Sequence, residues 1–258
     1  MSMEPRAPRL AVLIDADNAS PRIAAGLFEE IAKIGEASVR RIYGDFSGTH
    51  LKGWAEVLST HAIMPHQNFA YTSGKNASDI ALVIDAMDLL HSGRFDGFCL
   101  VSSDSDFTRL AARIREQGVD VFGFGEQKTP ESFRRACRRF IYTENLLPDA
   151  SAAGEPEAAD ARPPAVKRPV AIAIPLIRTA ISQLDDEDGW VSLGGIGNRL
   201  AILASDFDPR TFGFAKLSTL VEKTGAFEVR RVEGRQTQVR PKPAAAAAPA
   251  KKALKRGA

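Results

Sequence analysis

Short apolar runs alternate with amphipathic stretches along the first half of the chain. Residues 10–14 and 98–101 are continuous apolar runs of the length typical of buried strands. Ser20 followed by Pro21 is typical of a helix start, with the hydroxyl as N-cap, and this helix is predicted to end at Gly35. The alternation predicts an α/β fold in which a parallel sheet is flanked by crossover helices.

The same patterns place the other elements of this half. Further strands are predicted over 38–44, 61–68 and 119–123, and further helices over 52–60, 76–91, 107–117 and 130–140. The helix over 76–91 is predicted to bury one apolar side, formed by Ile80, Val83, Ile84, Met87 and Leu90.

The chain changes character at residue 148. Residues 148–171 are dominated by Ala, Pro, Glu and Asp and are predicted to form a flexible linker. Residues 172–240 predict three helices followed by a hairpin turned at 233–234, which is the pattern of a small winged-helix domain. Residues 241–258 alternate Ala and Pro with Lys and Arg, contain no acid, and are predicted to be a disordered basic tail.

Composition limits the class of protein. The chain has 258 residues, of which 44% are hydrophobic, and a formal net charge of +2, which allows two modest domains. It has no apolar run of the roughly 20 residues that span a bilayer, and residues 1–9 lack the apolar core of a signal peptide. We therefore expect a cytoplasmic protein with no membrane partner. The two cysteines, Cys99 and Cys137, form no CxxC pair and predict no zinc site.

Acidic residues stand beside the apolar runs at three places. Asp15 with Asn18 follows the first strand, Asp79 opens a helix, and Asp104 with Asp106 follows a later strand. Carboxylates at the carboxyl ends of parallel strands converge on the crevice in which open α/β sheets bind ligands. The four acids are therefore predicted to bind Mg²⁺ or Mn²⁺, with the Asn18 amide orienting a phosphate, a ligand or water. One or two such ions would polarise a phosphoryl group and generate hydroxide for in-line attack.

Each acidic cluster also has a structural interpretation. Asp17 and Asn18 are typical of a turn or a helix cap, and Asp79 lies in a first helical turn, where the dipole alone favours an acid. Asp106 is predicted to cap the helix that follows it, in addition to its metal role. Asp85, on another face of the helix that carries Asp79, is predicted to be a hydrogen-bonding group.

Basic residues are candidates for contacts with RNA phosphates. The predicted set is Lys75, Arg134, Arg138, Lys216, Lys223, Arg230, Arg231, Arg235 and Arg240. Arg134 and Arg138 belong to one stripe of the helix predicted over 130–140, and pairing with acids elsewhere on the fold is the alternative to RNA binding for both.

The motifs DADN at 15–18, KNASD at 75–79 and SDSDF at 103–107 resemble, in this order and spacing, those of the NYN domain. The branch in question is the bacterial LabA-like group of the PIN-like nuclease superfamily, and the resemblance covers residues 9–147. It implies a flavodoxin-like parallel sheet and a metal-dependent ribonuclease, in which the four acids named above bind the metal beside Asn18.

The C-terminal half carries a second resemblance. The run FGFAKLSTLVE at 212–222, followed by FEV at 227–229, is similar to the OST-HTH or LOTUS domain over residues 172–240. Domains of that family are similar to winged helices, and the resemblance implies RNA binding.

The leading prediction is a metal-dependent ribonuclease that hydrolyses RNA phosphodiester bonds and captures single-stranded or structured RNA with its C-terminal domain. The alternative is a non-catalytic RNA-binding adaptor whose acids serve structure or bind metal weakly. A third hypothesis is a haloacid-dehalogenase-like phosphatase, since LIDAD at 13–17 also resembles the nucleophile strand of that family, although Ala19 departs from its pattern. The predicted partners are RNA and, as an open alternative, a second copy of the chain in a homodimer.

Overall fold

The computed structural model describes residues 6–68, 77–147, 167–186, 188–231 and 236–242. The predicted RNA contacts Lys75 and Arg235 and the predicted turn at 233–234 lie outside these residues. Most of the predicted linker, 148–166, and most of the predicted tail, 243–258, lie outside them as well.

Six parallel strands form the first sheet, in the order β3-β2-β1-β4-β5-β6. They are β1 (Arg9–Asp15), β2 (Glu36–Gly44), β3 (Met64–Gln67), β4 (Gly97–Val101), β5 (Asp120–Gly125) and β6 (Arg139–Tyr142). β1 lies near the centre, and its residues after Arg9 are buried, as expected for a parallel strand covered on both faces. The α/β prediction is confirmed.

Helices cover both faces of this sheet. They are α1 (Ala24–Ala32), α2 (Lys52–Val57), α3 (Ala77–His91), α4 (Thr108–Glu116) and α5 (Glu131–Ala136). Leu27 of α1 and Trp54 of α2 pack in the core on one face. Leu82 of α3, Leu110 of α4 and Phe133 of α5 pack in the core on the other face. Because β1 and β4 pair in parallel, their carboxyl ends are adjacent at one edge of the sheet. α3 lies on the same face of the sheet as α4 and α5.

The start of α1 differs from the prediction. A 3-10 helix, Pro21–Ile23, precedes α1, and Ser20, within the described part of the chain, makes no side-chain cap hydrogen bond. The backbone carbonyl of Ser20 instead accepts the N–H of Ile23 at 3.2 Å. The proline starts the helical turn as predicted, but the predicted capping role of the Ser20 hydroxyl is wrong.

The predicted buried side of α3 is wrong for Ile80 and Ile84, whereas Leu90 is buried and Val83 and Met87 pack partly buried against the core, as predicted. Ile80 is 61% exposed and Ile84 is 58% exposed, whereas α3 buries Leu82, Ala86 and Leu89. The helix is apolar over 80–84 on every side, so its sequence does not single out one face. Packing against the sheet decides which side is buried.

The helix predicted over 130–140 is shorter than expected. α5 ends at Ala136, and the chain then forms β6, which pairs with β5 through Phe140 opposite Gly123. Strand pairing with β5 overrides the helical pattern here, and the aromatic residues Phe140 and Tyr142 suit a strand. The predicted single helical stripe that joins Arg134 to Arg138 does not exist.

The C-terminal unit is a winged helix, as predicted. Its elements are α6 (Ala173–Ser182), α7 (Leu193–Leu203), α8 (Leu217–Thr224), β7 (Val191–Ser192), β8 (Phe227–Arg230) and β9 (Gln238–Pro241). The strands form an antiparallel sheet in the order β7-β9-β8. Ile177, Ile196 and Leu220 of the helices share one core with Phe227 and Val239 of the sheet. Across the described ranges no helix is both long and apolar enough to cross a membrane.

The winged helix packs on the outer edge of β6. The backbone N–H of Phe140 donates to the carbonyl of Ser205 at 2.7 Å, and the Ser205 hydroxyl donates to the carbonyl of Arg134 at 2.7 Å. Tyr142 donates its hydroxyl to Asp206 at 2.5 Å. An unpaired edge strand is a site of unwanted pairing, and here the second unit covers part of it.

A second polar contact lies between α1 and the winged helix. The buried carboxylate of Glu30 pairs with Arg210 at 3.0 Å, with Lys33 at 2.9 Å and with Arg139 at 3.2 Å. Burial works to raise the pKa of Glu30, but its bonds with Lys33 and Arg210 hold that pKa below its usual value. Glu30 is therefore an anion that ties the two units together.

We expect Arg210→Met to destabilise the protein by about 2 kcal/mol, because the buried carboxylates of Glu30 and Asp208 both lose a charged partner, while Lys33 and Arg139 remain beside Glu30. A lower urea midpoint at pH 7 is the measurement. Since the pKa of Glu30 is lowered by folding, this stability is present above pH 4.5, its ordinary value, and is lost as the pH falls through the lowered value. The difference between the variant and the unsubstituted protein should therefore shrink in acid.

The matched control is Arg113→Met, which removes an exposed pair with Glu116. It is expected to change stability by less than about 1 kcal/mol. Equal shifts of the urea midpoint in the two variants would show that the Glu30 contact between the units contributes nothing beyond a surface ion pair.

Candidate active site

Asp15 lies at the carboxyl end of the central strand and is only 1% exposed. Its Oδ2 accepts the Ser102 hydroxyl at 2.7 Å and the Asn18 amide at 2.9 Å. Its Oδ1 accepts the backbone N–H groups of Asp17 at 3.2 Å and Asn18 at 3.3 Å. Burial raises the pKa of Asp15, although the bonds from Ser102 and Asn18 act in the opposite direction. The carboxylate is thus fixed in orientation from two sides.

Asn18 and Ser102 both act through Asp15. The predicted role of Asn18 was to orient a phosphate, a ligand or water, whereas its amide bonds the Asp15 carboxylate. Ser102 was not predicted as a site residue, yet it is buried directly after β4, which pairs with β1. Its position one residue past the strand that neighbours β1 is the sequence signal that identifies it.

Asp104 and Asp106 follow β4 in a 3-10 turn, Ser105–Phe107. The Asp104 carboxylate accepts the backbone N–H of Asp106 at 2.9 Å and caps this turn. The predicted cap was Asp106, and that assignment is wrong, because the 3-10 turn capped by Asp104 leads directly into α4, which has no side-chain cap hydrogen bond at its own start among the described residues. The hydroxyl of Ser103 accepts the backbone N–H of Glu126 at 2.8 Å, so Ser103 stabilises the turn after β4.

Asp79 lies in the first turn of α3 and joins the same cluster. The neighbouring Ser78 donates its hydroxyl to Asp17 at 3.3 Å, which links the start of α3 to the turn after β1. Burial first, and then repulsion by Asp15, Asp104, Asp17 and Asp106, raise the pKa of Asp79 to about 6. Acids from three separate segments of the sequence therefore lie close enough to repel one another.

The donor chemistry of this cluster fits a hard divalent cation. Carboxylate oxygens are the ligands that Mg²⁺ and Mn²⁺ prefer, and a cation relieves the repulsion that raises the pKa of Asp79. Among the described residues, no group of three or more His, Cys, Asp and Glu is gathered into a ready ligand set. The cluster thus supplies the charge and the atom types for a metal, while its side chains are held by the protein's own hydrogen bonds.

Comparison with known families assigns the N-terminal unit. The family model of the NYN domain matches residues 9–147. The chain belongs to the NYN family. The family model of the OST-HTH/LOTUS domain matches residues 167–239. Both resemblances noted in the sequence are confirmed by these matches. NYN domains are PIN-like nucleases, and OST-HTH domains bind RNA.

Solved structures add similarity without a functional argument. A protein of unknown function from Vibrio parahaemolyticus is 16% identical, covering 56% of this chain and 98% of its own, with a TM-score of 0.48. An uncharacterised protein from Nitrosomonas europaea is 32% identical, covering 38% of this chain and 93% of its own, with a TM-score of 0.25. MurG from Acinetobacter baumannii is 12% identical, covering 83% and 69%, with a TM-score of 0.36. None of the curated proteins compared matches the chain.

A polar latch holds α3 of the NYN domain against β2. Asp85 of α3 accepts hydrogen bonds from Arg41 and from the hydroxyl of Tyr43. Burial works to raise the pKa of Asp85, but the bonds from Tyr43 and Arg41 hold it below its usual value. Tyr43 stands opposite Asp15 in the register of β1 and β2. The predicted hydrogen-bonding role of Asp85 is confirmed, and the latch ties the helix of Asp79 to the strand beside Asp15.

Two of the predicted RNA contacts in the NYN domain are already paired. Arg134 donates to Asp206 and, at 2.7 Å, to the hydroxyl of Tyr142, and Arg138 pairs with Asp120. These contacts agree with the alternative interpretation that the sequence left open. Arg134 joins the two units.

The predicted contacts in the OST-HTH domain are more accessible. Lys216 and Lys223 are exposed at α8, and Arg230 is exposed at the end of β8. Arg231 is also exposed and pairs with Glu222 at 2.9 Å. These four residues remain available candidates for RNA phosphates. The ion pair of Arg231 with Glu222 does not prevent this role, because exposed ion pairs exchange partners at little cost.

Asp79→Asn is expected to stabilise the metal-free protein at pH 7.5, because the variant removes one charge from the crowded cluster. Folding raises the pKa of Asp79 from 3.8 to about 6, so the folded protein loses stability as the pH rises across that interval. With allowance for screening at this partly exposed group, the gain is about 1 kcal/mol, or about 2–4 °C in Tm. Thermal melting in EDTA is the measurement, and the gain should vanish below about pH 4.

The control for this prediction is Asp88→Asn, an exposed position on the same helix with the same change of charge. Its Tm should stay within about 1 °C of the unsubstituted protein at both pH values. A stabilisation of equal size in both variants would mean that net charge, and not the acidic cluster, is responsible.

Asp85→Asn is expected to destabilise the NYN domain by about 1–3 kcal/mol, because Arg41 loses its carboxylate and Tyr43 loses a charged acceptor. Urea unfolding at neutral pH measures the loss. Tyr43→Phe should show a smaller loss, since the Asp85–Arg41 pair survives, and Asp88→Asn should show almost none. Equal stability of the Asp85 and Asp88 variants would rule out the latch.

Proposed function

We propose that the protein is a metal-dependent ribonuclease that hydrolyses phosphodiester bonds of RNA, with its OST-HTH domain as the RNA-binding module. The observation that carries the proposal is the convergence of acids from β1, α3 and the turn after β4 on one edge of the sheet. Burial, together with repulsion by these neighbouring acids, raises the pKa of Asp79 to about 6. Such a concentration of negative charge is unfavourable for folding, and clusters of this kind are typical of catalytic sites that bind a cation.

The residues of the cluster have separate roles in this proposal. Asp15, Asp79, Asp104 and Asp106 would hold a divalent cation, which would supply Lewis acidity toward the phosphoryl oxygens and lower the pKa of an attacking water. Ser102 and Asn18 keep Asp15 in one orientation through bonds of 2.7 and 2.9 Å to its Oδ2. Asp79 holds a proton below about pH 6 in the free protein, so metal binding near that pH releases a proton.

The OST-HTH domain raises the local concentration of RNA near the acidic cluster. It is joined to the NYN domain by the bonds of Glu30, Phe140 and Tyr142 as well as by the chain itself. RNA held by the OST-HTH domain is thus presented from a fixed direction. These contacts support the proposed capture role.

The second candidate function is a non-catalytic RNA-binding adaptor. One specific observation favours it: both oxygens of Asp15 are engaged in hydrogen bonds within the protein. The described residues also contain no ready group of metal ligands. In this alternative, Asp15 serves to join β1 to β4, and the OST-HTH domain carries the function.

The phosphatase hypothesis loses its support. It required Asp15 as a nucleophile, but this carboxylate is buried and holds its position through Ser102 and Asn18. The match of residues 9–147 to the NYN domain accounts for the same motif without a covalent intermediate.

We expect the purified protein to cleave labelled RNA with Mn²⁺ or Mg²⁺ and to be inactive in EDTA. Asp104→Asn should lower kcat by about 100-fold or more, because a carboxylate ligand becomes a neutral amide. Gel electrophoresis of products measures cleavage, and a gel shift on the same samples measures binding. Asp88→Asn is the control of equal charge change and should retain activity.

Each outcome of this experiment separates the two candidates. Metal-dependent cleavage that is lost in the Asp104 variant and kept in the Asp88 variant supports the ribonuclease. Tight RNA binding without cleavage in either metal contradicts the ribonuclease proposal and supports the adaptor function. Cleavage that survives in the Asp104 variant would move the reaction away from this cluster.

A further inference from the structure

The small sheet of the OST-HTH domain has one face turned away from its helices. Val191, Phe227 and Val239 point into the core shared with α6, α7 and α8. Side chains alternate along a strand, so the intervening positions lie on the opposite face. These residues are Trp190, Glu228, Arg230, Gln238 and Arg240, and we call this surface the arginine–tryptophan face.

Two guanidinium groups stack on one indole ring at this face. The Cζ atom of Arg230 lies 4.3 Å from the ring centroid of Trp190, and that of Arg240 lies 4.7 Å from it. Arg230 also donates to the side chain of Gln238 at 2.7 Å, which holds it across β9 toward the tryptophan. Trp190 is half-buried, so the stack is part of the surface.

Packing alone does not explain the second arginine. A cation over an exposed aromatic ring contributes only about 0.5–1 kcal/mol, and two cations on one ring repel each other. Glu228 pairs with Arg240, which leaves the positive charge of Arg230 facing the neutral side chain of Gln238. The arrangement suits a surface that meets an anion carrying flat rings.

Acidic residues fix the direction in which such an anion lies. Asp185, Asp186 and Asp188 are exposed in the turn before Trp190, and Asp186 accepts the N–H of Gly189 at 3.0 Å. Phosphates are repelled from that end of the face and attracted to the end at Arg230. In the favourable orientation, a bound nucleotide places its base against the stacked side chains of Trp190, Arg230 and Arg240 and its phosphates toward β8.

Unpaired bases are the ligand chemistry that this surface recognises. Bases of single strands stack on aromatic rings and on guanidinium planes, whereas a duplex keeps its bases inside and offers only grooves and phosphates. We propose that the arginine–tryptophan face binds single-stranded RNA by stacking, and that the exposed Lys216 and Lys223 at α8 contribute less to binding than this face does. This inference rests on the proposed function for its ligand and not on catalysis.

Tryptophan fluorescence tests the proposal directly. The chain has two tryptophans, and Trp54 is only 1% exposed, with its indole N–H bonded to the carbonyl of Ala19. The probes are a single-stranded RNA 12-mer and a duplex of equal length, added in EDTA to the Asp104→Asn protein so that cleavage plays no part. We expect saturable quenching by the single strand and little by the duplex, with no quenching in Trp190→Phe.

Binding constants from fluorescence anisotropy of labelled RNA complete the test. Trp190→Leu and Arg230→Gln should each weaken single-strand binding by about tenfold, Trp190→Phe by less than about threefold, and Lys223→Gln by less than about twofold. The phenylalanine variant retains a ring and guards against a folding defect in the leucine variant.

Three results would overturn the proposal: an absence of RNA binding, equal affinity for the duplex, or a larger loss in Lys223→Gln than in Arg230→Gln. An inactive nuclease leaves the proposal standing, since every measurement is made without metal. Stacking in a protein that does not cleave would instead favour the adaptor function.

Discussion

A buried carboxylate at the end of the central strand is the constraint on which the site depends. Asp15 is enclosed between β2 and β4, where an unsatisfied charge would cost several kcal/mol. The fold meets that cost with the hydroxyl of Ser102, one residue past β4, and with three donors from the turn after β1. The geometry of the site is therefore a consequence of the stability requirements at β1. Loss of the Ser102 hydroxyl would affect both the stability of the domain and the orientation of Asp15.

The strands that carry the acids were predictable from sequence because each is a short apolar run with a polar end. β1 and β4 appear where the sequence predicts them; Asp15 is the last residue of β1, and Asp104 lies three residues past the end of β4. Their proximity was predictable too, since parallel strands align their carboxyl ends. Local chemistry was predictable only in type: the sequence predicts a cap at the turn after β4 and assigns it to Asp106, whereas Asp104 provides it.

Features decided by tertiary contacts were not predictable. The run over 80–84 is apolar throughout, so only packing on the sheet exposes Ile80 and buries Leu82. β6 follows a helix without a loop signal, and pairing with β5 determines its structure. Arg210, one of the three partners that Glu30 has in the described part of the chain, lies 180 residues away along the chain, a distance at which sequence patterns carry no information. Ion pairs between separate units belong to the same class.

The contact between the two units changes what the linker has to do. A flexible tether raises the effective concentration of a ligand without setting its direction. Here the carbonyl of Ser205 continues the hydrogen bonding of β6, and Arg210 reaches the buried Glu30, so direction is set by contacts rather than by chain length. Arg168, in the part assigned to the linker by sequence, already bonds the carbonyl of Thr211.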